Sequence, residues 1–140
     1  MGRVINTNAP GKRRNQLMRL IAEIIRRLGQ RQGDIDDEVR DMVAAIILSL
    51  REIDDGIIES IQAWEKRGYW KKADKFQQEW LWTGNNAARL EKMLREQNWD
   101  ALPENMMKLF PHFADIEVTK MTRPSSDWDG AYKKLMEKSE

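Results

Sequence analysis

The chain has 140 residues, with 24 Lys or Arg residues against 23 Asp or Glu residues, and it contains no cysteine. This length is typical of one domain, and the lack of cysteine excludes a disulfide scaffold, a thiolate metal site and a cysteine nucleophile. No apolar run approaches the ~20 residues that span a bilayer, and the first residues lack the hydrophobic core of a signal peptide, so we expect a cytoplasmic protein with no membrane partner.

The net charge of +1 conceals four blocks of opposite sign. Residues 1–33 carry eight basic residues and one acidic residue, whereas residues 34–60 carry two basic and nine acidic residues. Residues 61–95 carry eight basic against four acidic residues, and residues 96–140 carry six against nine. Either the first two blocks are antiparallel neighbours that neutralise each other, or the basic block faces an external anionic partner.

A basic arm, residues 1–11, precedes a single helical domain, residues 12–140. The arm ends in an Asn-Ala-Pro-Gly turn, and Gly29 and Gly33 bracket the end of the first helix. Over about residues 12–30 the apolar side chains recur on one face at helical spacing: Leu17, Leu20, Ile21, Ile24, Ile25 and Leu28. This pattern predicts an amphipathic helix.

The second element is a long helix that follows directly. Asp34 or Asp36 can cap its start, and Asp37 and Glu38 place negative charge in its first turn. Apolar residues then recur at steps of three and four: Val39, Val43, Ile46, Leu50, Ile53, Ile57, Ile61 and Trp64. Such a seam is typical of a helix packed nearly parallel to its neighbours. From about residue 36 to residue 66 it would measure ~46 Å.

Asp54 lies within about 40° of the centre of that seam. A carboxylate at this position must pair with a cation or lie near an opening, because burying it alone is very costly. The predicted partner is Arg14 or Arg27; alternatively, Gly56 relaxes the helix and lets Asp54 reach water. The other carboxylates are predicted on the solvated face: Asp37, Asp41, Glu52, Asp55 and Glu59.

The third helix is predicted from five residues that share one face: Trp70, Ala73, Gln77, Trp80 and Leu81. Past Gly84 the apolar phase changes, because Leu90, Met93 and Leu94 would point almost opposite to Trp70 in a straight helix. We therefore predict a break or kink around residues 83–86, with Thr83 as the cap of a fourth helix that ends near Gln97.

Residues 98–140 predict three smaller elements. A short helix ends at Pro111, residues 114–124 form an extended strap, and Ser126 with Asp129 form a capping-box pattern ahead of a C-terminal helix. The whole chain is thus predicted to be all-α: an antiparallel bundle of three to four long helices, plus a short helix, an extended strap and a C-terminal helix, with a basic N-terminal arm.

Patterns that carry catalysis are missing from the sequence. His112 is the single histidine, and its apolar setting, Leu-Phe-Pro-His-Phe, favours a packed or capping side chain. There is no Glu-x-x-His pair, no phosphate-binding P-loop and no Gly-x-Ser-x-Gly motif. We predict that the chain is not an enzyme and binds neither a metal nor a cofactor.

Two features favour nucleic acid as a partner. Basic residues at the start of the chain are interleaved with amides and hydroxyls, and such residues contact phosphates and base edges: Arg3, Lys12, Arg13, Arg14 and Arg19. The alternative is an ordinary helix start with a solubilising tail. On the third helix Lys71, Lys72 and Lys75 lie near Trp82, whose ring could stack a base; the alternative is that Trp82 packs within the protein. The other five tryptophans are interpreted as core or helix-junction anchors.

Two functions are compatible with these patterns. The first is a small helical nucleic-acid-binding protein, or a non-catalytic subunit of a nucleoprotein complex, that contacts phosphates through the basic arm. The second is a protein interaction module, in which the long second helix forms a homo-oligomer or binds a partner protein through its heptad-like seam.

Overall fold

The computed structural model describes residues 9–31 and 33–138. This part of the chain contains helices and turns but no strand, which confirms the predicted all-α class. It has five α-helices: α1 (Ala9–Gln30), α2 (Asp37–Lys66), α3 (Trp70–Arg95), α4 (Leu102–Leu109) and α5 (Ala131–Met136). Short 3-10 helices lie at Trp99–Ala101, Phe110–Phe113 and Ser125–Asp127. None of the described helices is long and apolar enough to cross a membrane.

α1 begins earlier than predicted. The sequence pattern assigns residues 8–11 to a turn, whereas the helix already includes Ala9 and Gly11. A proline is compatible with the first turn of a helix, because the N–H that it lacks would have no partner there. Residues 1–8 of the predicted arm lie outside the described residues.

α2 begins and ends close to the predicted residues 36 and 66. The carboxylate of Asp36 accepts a hydrogen bond from the N–H of Val39 at 2.9 Å, so Asp36 caps the helix. Asp37 and Glu38 occupy the first turn, where they interact favourably with the helix dipole. The predicted length and N-terminal cap of this helix are confirmed.

α1, α3 and α5 all contact α2. The predicted seam of α2 supplies much of the core: Val39, Val43, Ile46, Leu50, Ile53 and Ile57 are buried, and Ile61 and Trp64 are partly buried. Arg13 near the start of α1 pairs with Glu52 in the C-terminal half of α2, and Arg27 near the end of α1 lies 3.9 Å from Glu38 at the start of α2. The seam of α2 is thus covered by helices of its own chain.

α3 is one continuous helix, so the predicted break at residues 83–86 is wrong. Its inward face runs in steps of three and four through Ala73, Phe76, Trp80, Thr83, Ala87, Leu90 and Leu94. The apparent change of phase arises from assigning Trp70 and Leu81 to the core, whereas they are 63% and 54% exposed. Thr83 does not cap a further helix, because its hydroxyl donates to the carbonyl of Trp80 at 2.9 Å within α3.

Asp54 is half-buried where α2 meets Gly84 of α3. Its predicted cationic partners lie elsewhere: Arg14 lies over aromatic rings of α3, and Arg27 lies beside the start of α2. Among the described residues Asp54 has no hydrogen bond or ion pair, so the predicted pairing is wrong. Burial and the neighbouring charge of Asp55 raise the pKa of the Asp54 carboxyl.

Two interior glycines differ in the space around them, which gives a stability prediction. Gly56→Ala is expected to raise the free energy of unfolding by about 0.5–1 kcal/mol, because alanine favours the helix and the added Cβ meets no other group within 4 Å. Gly84→Ala should give no such gain, because its Cβ would lie 3.1 Å from Oδ2 of Asp54. Urea unfolding of the two variants measures the difference. Equal stabilisation would contradict the close approach, and Asp54→Ala should restore the gain at Gly84.

The predicted strap, residues 114–124, contains no helix or strand, although residues 114 and 115 form a turn. It is attached to α1 through a buried carboxylate. Glu23 is 0% exposed. It accepts hydrogen bonds from the backbone N–H groups of Thr122 and Arg123, at 2.7 and 2.9 Å, and from the Thr122 hydroxyl at 2.8 Å. Nε of Arg19, one turn earlier on α1, also donates to Glu23 at 2.9 Å. Polar contacts from α1 therefore position the strap.

α5 is capped by α2, and the predicted capping box of Ser126 and Asp129 is wrong. Ser126 lies in the 3-10 helix Ser125–Asp127, and Gly130, not Ser126, occupies the N-cap position of α5. Instead, the carboxylate of Asp41 accepts hydrogen bonds from the backbone N–H groups of Gly130 and Tyr132, at 3.0 and 2.9 Å. Asp41 therefore holds two segments together and is not merely a solvated residue of the outer face of α2.

Candidate nucleic-acid interface

The acidic residues of α2 neutralise part of the basic first segment. Arg13 donates to both carboxylate oxygens of Glu52, at 2.6 and 3.1 Å, although these side chains are 55% and 48% exposed. This hydrogen bond raises the pKa of Arg13. Arg31 forms ion pairs with Asp36 and Glu38. Internal neutralisation therefore accounts for these two arginines.

Arg14 interacts with aromatic rings rather than with a carboxylate. Its guanidinium carbon lies 5.3 Å from the centroid of the Phe76 ring and 5.0 Å from that of Trp80, which is cation–π distance. Burial lowers the pKa of Arg14. These contacts join the start of α1 to the first half of α3, so Arg14 links the two basic segments singled out from the sequence.

The same aromatic cluster extends to Lys72. The ring of Trp64 packs edge-on against Phe76, with centroids 4.8 Å apart and planes at 68°. Nζ of Lys72 lies 4.7 Å from the centroid of the Trp64 ring. Arg14 and Lys72 therefore flank one group of rings.

The corner between α2 and α3, residues 65–75, carries five basic and two acidic residues. Four of its basic side chains are exposed and form no ion pair with any residue that the structure describes: Lys66, Arg67, Lys71 and Lys75. The first turn of α3 contains no acidic residue, although positive charge is disfavoured at a helix N-terminus. The stability of α3 therefore does not explain its lysines.

These groups define the basic end of the molecule. We use this name for Lys12 and Arg14 of α1 together with Lys66, Arg67, Lys71, Lys72 and Lys75 of the corner. Lys12 is exposed in the first turns of α1, and within the described part of the chain no carboxylate pairs with it. Lys66 and Arg67 were not predicted as contact residues, although the run Lys-Arg-Gly just before the third helix is visible in the sequence.

Tyr69 and Trp70 are two further surface residues of the corner, and the sequence patterns do not predict them as such. They are 53% and 63% exposed, and neither ring contacts another aromatic ring of the described residues. The sequence pattern predicts Trp70 on the core face of α3, and this prediction is wrong. Phe76 lies three residues after Ala73 and four before Trp80, so these three residues share one helix face. That spacing indicates that Trp70 lies off the core face.

Arg19, a predicted phosphate contact, is bound within the protein. Its two terminal nitrogens donate to the carbonyl oxygens of Glu117 and Lys120 in the strap, at 2.9 and 3.0 Å. Its Nε donates to Glu23. All three guanidinium nitrogens thus have partners in the protein, and Arg19 does not belong to the basic end.

Trp82 is also packed within the protein. Its ring stacks on His112 with centroids 4.0 Å apart and planes at 6°, and it lies 5.9 Å from the ring of Trp80. The ring of Phe113 approaches it edge-on at 5.6 Å. Burial, and secondly the charge of Arg89, lower the pKa of His112. The single histidine therefore acts here as a stacking partner, and one face of the Trp82 ring is already covered.

Arg3, the remaining predicted contact, lies outside the described residues.

Within residues 9–31 and 33–138, no group of three or more His, Cys, Asp or Glu side chains could hold a metal ion. No protein-family model, curated protein or solved structure matches this chain.

Proposed function

We propose that this chain is a small helical nucleic-acid-binding protein, or a non-catalytic subunit of a nucleoprotein complex, that contacts phosphates through its basic end. The observation that carries the proposal is the contact of Arg14 with Phe76 and Trp80. It joins the start of α1 to the lysine-rich part of α3. A basic surface drawn from two separate segments of a chain with a net charge of only +1 suits a polyanion.

The pairing of charges elsewhere supports this assignment. Arg13, Arg27 and Arg31 have carboxylate partners on α2 or just before it, namely Glu52, Glu38 and Asp36. Basic side chains of the corner have no such partner among the described residues. Each lysine or arginine that neutralises a phosphate releases condensed counterions, which favours binding at low salt.

The proposal includes an arrangement of the chain. We propose that the three long helices form an antiparallel bundle, with residues 1–8 as a basic arm that leaves from the basic end, in a cytoplasmic protein. The pairs Arg13–Glu52 and Arg27–Glu38 support opposite directions for α1 and α2.

Replacing lysines of the corner by alanine should weaken the binding of nucleic acid more than replacing lysines elsewhere on the surface. We expect Lys66→Ala, Lys71→Ala and Lys75→Ala, combined in one variant, to lower the affinity for nucleic acid about tenfold or more at low salt. The same variant should reduce the slope of log affinity against log salt by about 2, at ~0.7 per lost contact with a single strand. Fluorescence anisotropy of labelled 20-nucleotide strands, titrated at several salt concentrations, measures both quantities.

The matched control replaces three exposed lysines at the other end of α3 and in the C-terminal segment, Lys92, Lys133 and Lys138, and changes the net charge by the same amount. This control should retain the wild-type salt slope. If both triple variants lose affinity equally, binding follows net charge and not the basic end. If the wild-type chain binds no DNA or RNA at low salt, the proposed function is wrong.

A protein interaction module is the second candidate, because one apolar surface of the chain is exposed. A cleft of about 420 Å³ lies between the end of α1 and α4, with Leu28, Ile35 and Met106 in its lining. Met107 and Phe110 at its edge are 69% and 45% exposed. The seam of α2 is buried in its own chain, so a homo-oligomer or a partner protein would use this cleft instead. Light scattering of the purified chain tests for self-association.

A further inference from the structure

We infer that the basic end binds single-stranded nucleic acid, whose unpaired bases stack on Tyr69 and Trp70 while the surrounding basic groups hold the phosphates. This inference rests on the proposed function and adds to it the strandedness of the partner and two base-contacting residues. It starts from two large rings that the fold leaves in solvent, 53% and 63% exposed.

The packing of the chain does not require these rings. The inward face of α3 is continued by Ala73, Phe76 and Trp80, and Trp70 lies to one side of it. Tyr69 occupies the N-cap position of α3 but makes no side-chain capping bond. A small polar residue would serve better at the N-cap, because its side chain could accept a hydrogen bond from the helix. The presence of two consecutive large rings here is therefore better explained by a ligand.

The corner also holds the rings on an ordered backbone. The N–H of Gly68 donates to the carbonyl of Glu65 at 3.0 Å, and the N–H of Tyr69 donates to that of Trp64 at 2.9 Å. Gly68 has a φ of 80°, a left-handed conformation that glycine adopts without strain. Because the backbone that carries the rings is already ordered, ligand binding does not have to order it.

Basic groups lie directly on both sides of the two rings in the chain. Lys66 and Arg67 precede them, and Lys71 follows. Aromatic rings flanked by cations match a single strand, in which each base carries a flat face and each nucleotide a phosphate. A protein interface would favour a different setting, because charged residues are depleted around the aromatic residues at interface centres.

The rings, unlike the charges, distinguish a single strand from a duplex. Lysine and arginine contact phosphates of either form, and such contacts carry no information on strandedness. In a duplex the faces of the bases are covered by neighbouring base pairs, so an exposed ring at a protein surface gains little from them. Stacking on an unpaired base is tolerant of sequence, since every base has a flat aromatic face. We therefore expect similar behaviour of RNA and DNA strands.

The test compares labelled 20-nucleotide U-rich RNA and T-rich DNA with a 20-base-pair duplex, by fluorescence anisotropy. Tyr69→Ala and Trp70→Ala should each weaken single-strand binding about tenfold, with little change for the duplex. The salt slope should stay unchanged, because the phosphate contacts remain. Trp70→Phe should recover most of the lost affinity. Leu81→Ala removes another half-exposed apolar side chain of α3 and is the matched control, with no expected effect.

The outcomes separate this inference from the function on which it rests. If single strands and duplex bind equally and Trp70→Ala changes neither, the stacking inference is overturned while phosphate binding stands. If no nucleic acid binds at low salt, both proposals fall. If no nucleic acid binds but the chain self-associates and Trp70→Ala abolishes this, the rings belong to a protein interface and the inference is also overturned.

Discussion

Glu23→Gln is expected to lower the free energy of unfolding by about 3 kcal/mol at pH 7. Burial by itself raises the pKa of Glu23, but the hydrogen bonds from Arg19, Arg123 and Thr122 outweigh it and lower the pKa from 4.5 to about 2. At about 1.4 kcal/mol for each pH unit, this difference is the stabilisation that the ionised carboxylate contributes in the folded chain. A neutral amide keeps the volume of the side chain but loses that contribution.

The lowered pKa of Glu23 also determines how the stability of the folded chain changes with pH. Because the pKa of Glu23 is lower in the folded chain than its ordinary value of 4.5, the stabilisation is fully present above pH 4.5 and is lost as the pH falls towards 2. The wild-type chain should therefore exceed the Gln variant in stability at pH 7 and approach it near pH 2.5. Thermal or urea unfolding at several pH values measures this convergence.

Glu52→Gln is the matched control for Glu23→Gln. Glu52 also pairs with an arginine of α1, but both side chains of that pair are about half exposed. Exposed ion pairs contribute at most about 1 kcal/mol, so the control should lose far less stability. A loss at Glu23 that is no larger than at Glu52, or that does not depend on pH, would show that the strap is not held by the ionised carboxylate.

Trp128→Ala should be the most damaging single truncation of the C-terminal segment, at about 3–5 kcal/mol. The Trp128 side chain is 1% exposed and packs in the core with Ala131 and Leu135 of α5. The guanidinium of Arg27 lies 5.6 Å from its ring centroid. Truncation would leave a large cavity beneath α5 and would remove the favourable contact with this cation. Urea unfolding gives the loss directly.

Trp128→Phe keeps an aromatic ring in the core but removes the indole N–H. The indole Nε1–H of Trp128 is buried without a hydrogen-bond partner among the described residues, so replacing it costs no hydrogen bond. We expect a loss of roughly 1–2 kcal/mol, well below that of the Ala variant. Trp70→Ala, at a ring 63% exposed, should change stability by less than about 0.5 kcal/mol. Equal losses for Phe and Ala at residue 128 would contradict the packing described.

The proposed function depends on which charges of the chain remain free. Acidic residues of α2 pair with arginines of α1, and the strap binds Arg19, so a basic segment of the sequence is not equivalent to a basic surface. The corner between α2 and α3 keeps exposed basic side chains that have no carboxylate partner among the described residues. Its lysines lie beside exposed rings, and this combination distinguishes the proposed interface from the rest of a surface rich in charge.

Part of the fold follows from local patterns. α2 could be predicted almost to the residue, because its cap lies three residues from the N–H group that it binds and its seam repeats over eight positions. The buried face of α3 was harder to predict, because its few large apolar residues are compatible with two different choices of that face. Only the presence of α2 decides that Phe76 points inwards and Trp70 outwards. A local pattern with two solutions is thus resolved by the neighbour that it packs against.

The candidate site was predicted as far as local charge allows. The sequence by itself determined an all-α chain with a capped long helix, and it identified Lys12, Arg14 and the lysines of α3 as candidates. Only the tertiary structure decided that Arg19 is bound to the strap, about 100 residues away in the chain, and that Trp82 is covered by His112. These outcomes depend on contacts between segments that are distant in the chain. The pattern of neighbouring residues does not show which distant side chain or carbonyl group will contact a given residue. The physical reason is that charge and periodicity are local properties, whereas availability to a ligand depends on the whole packed chain.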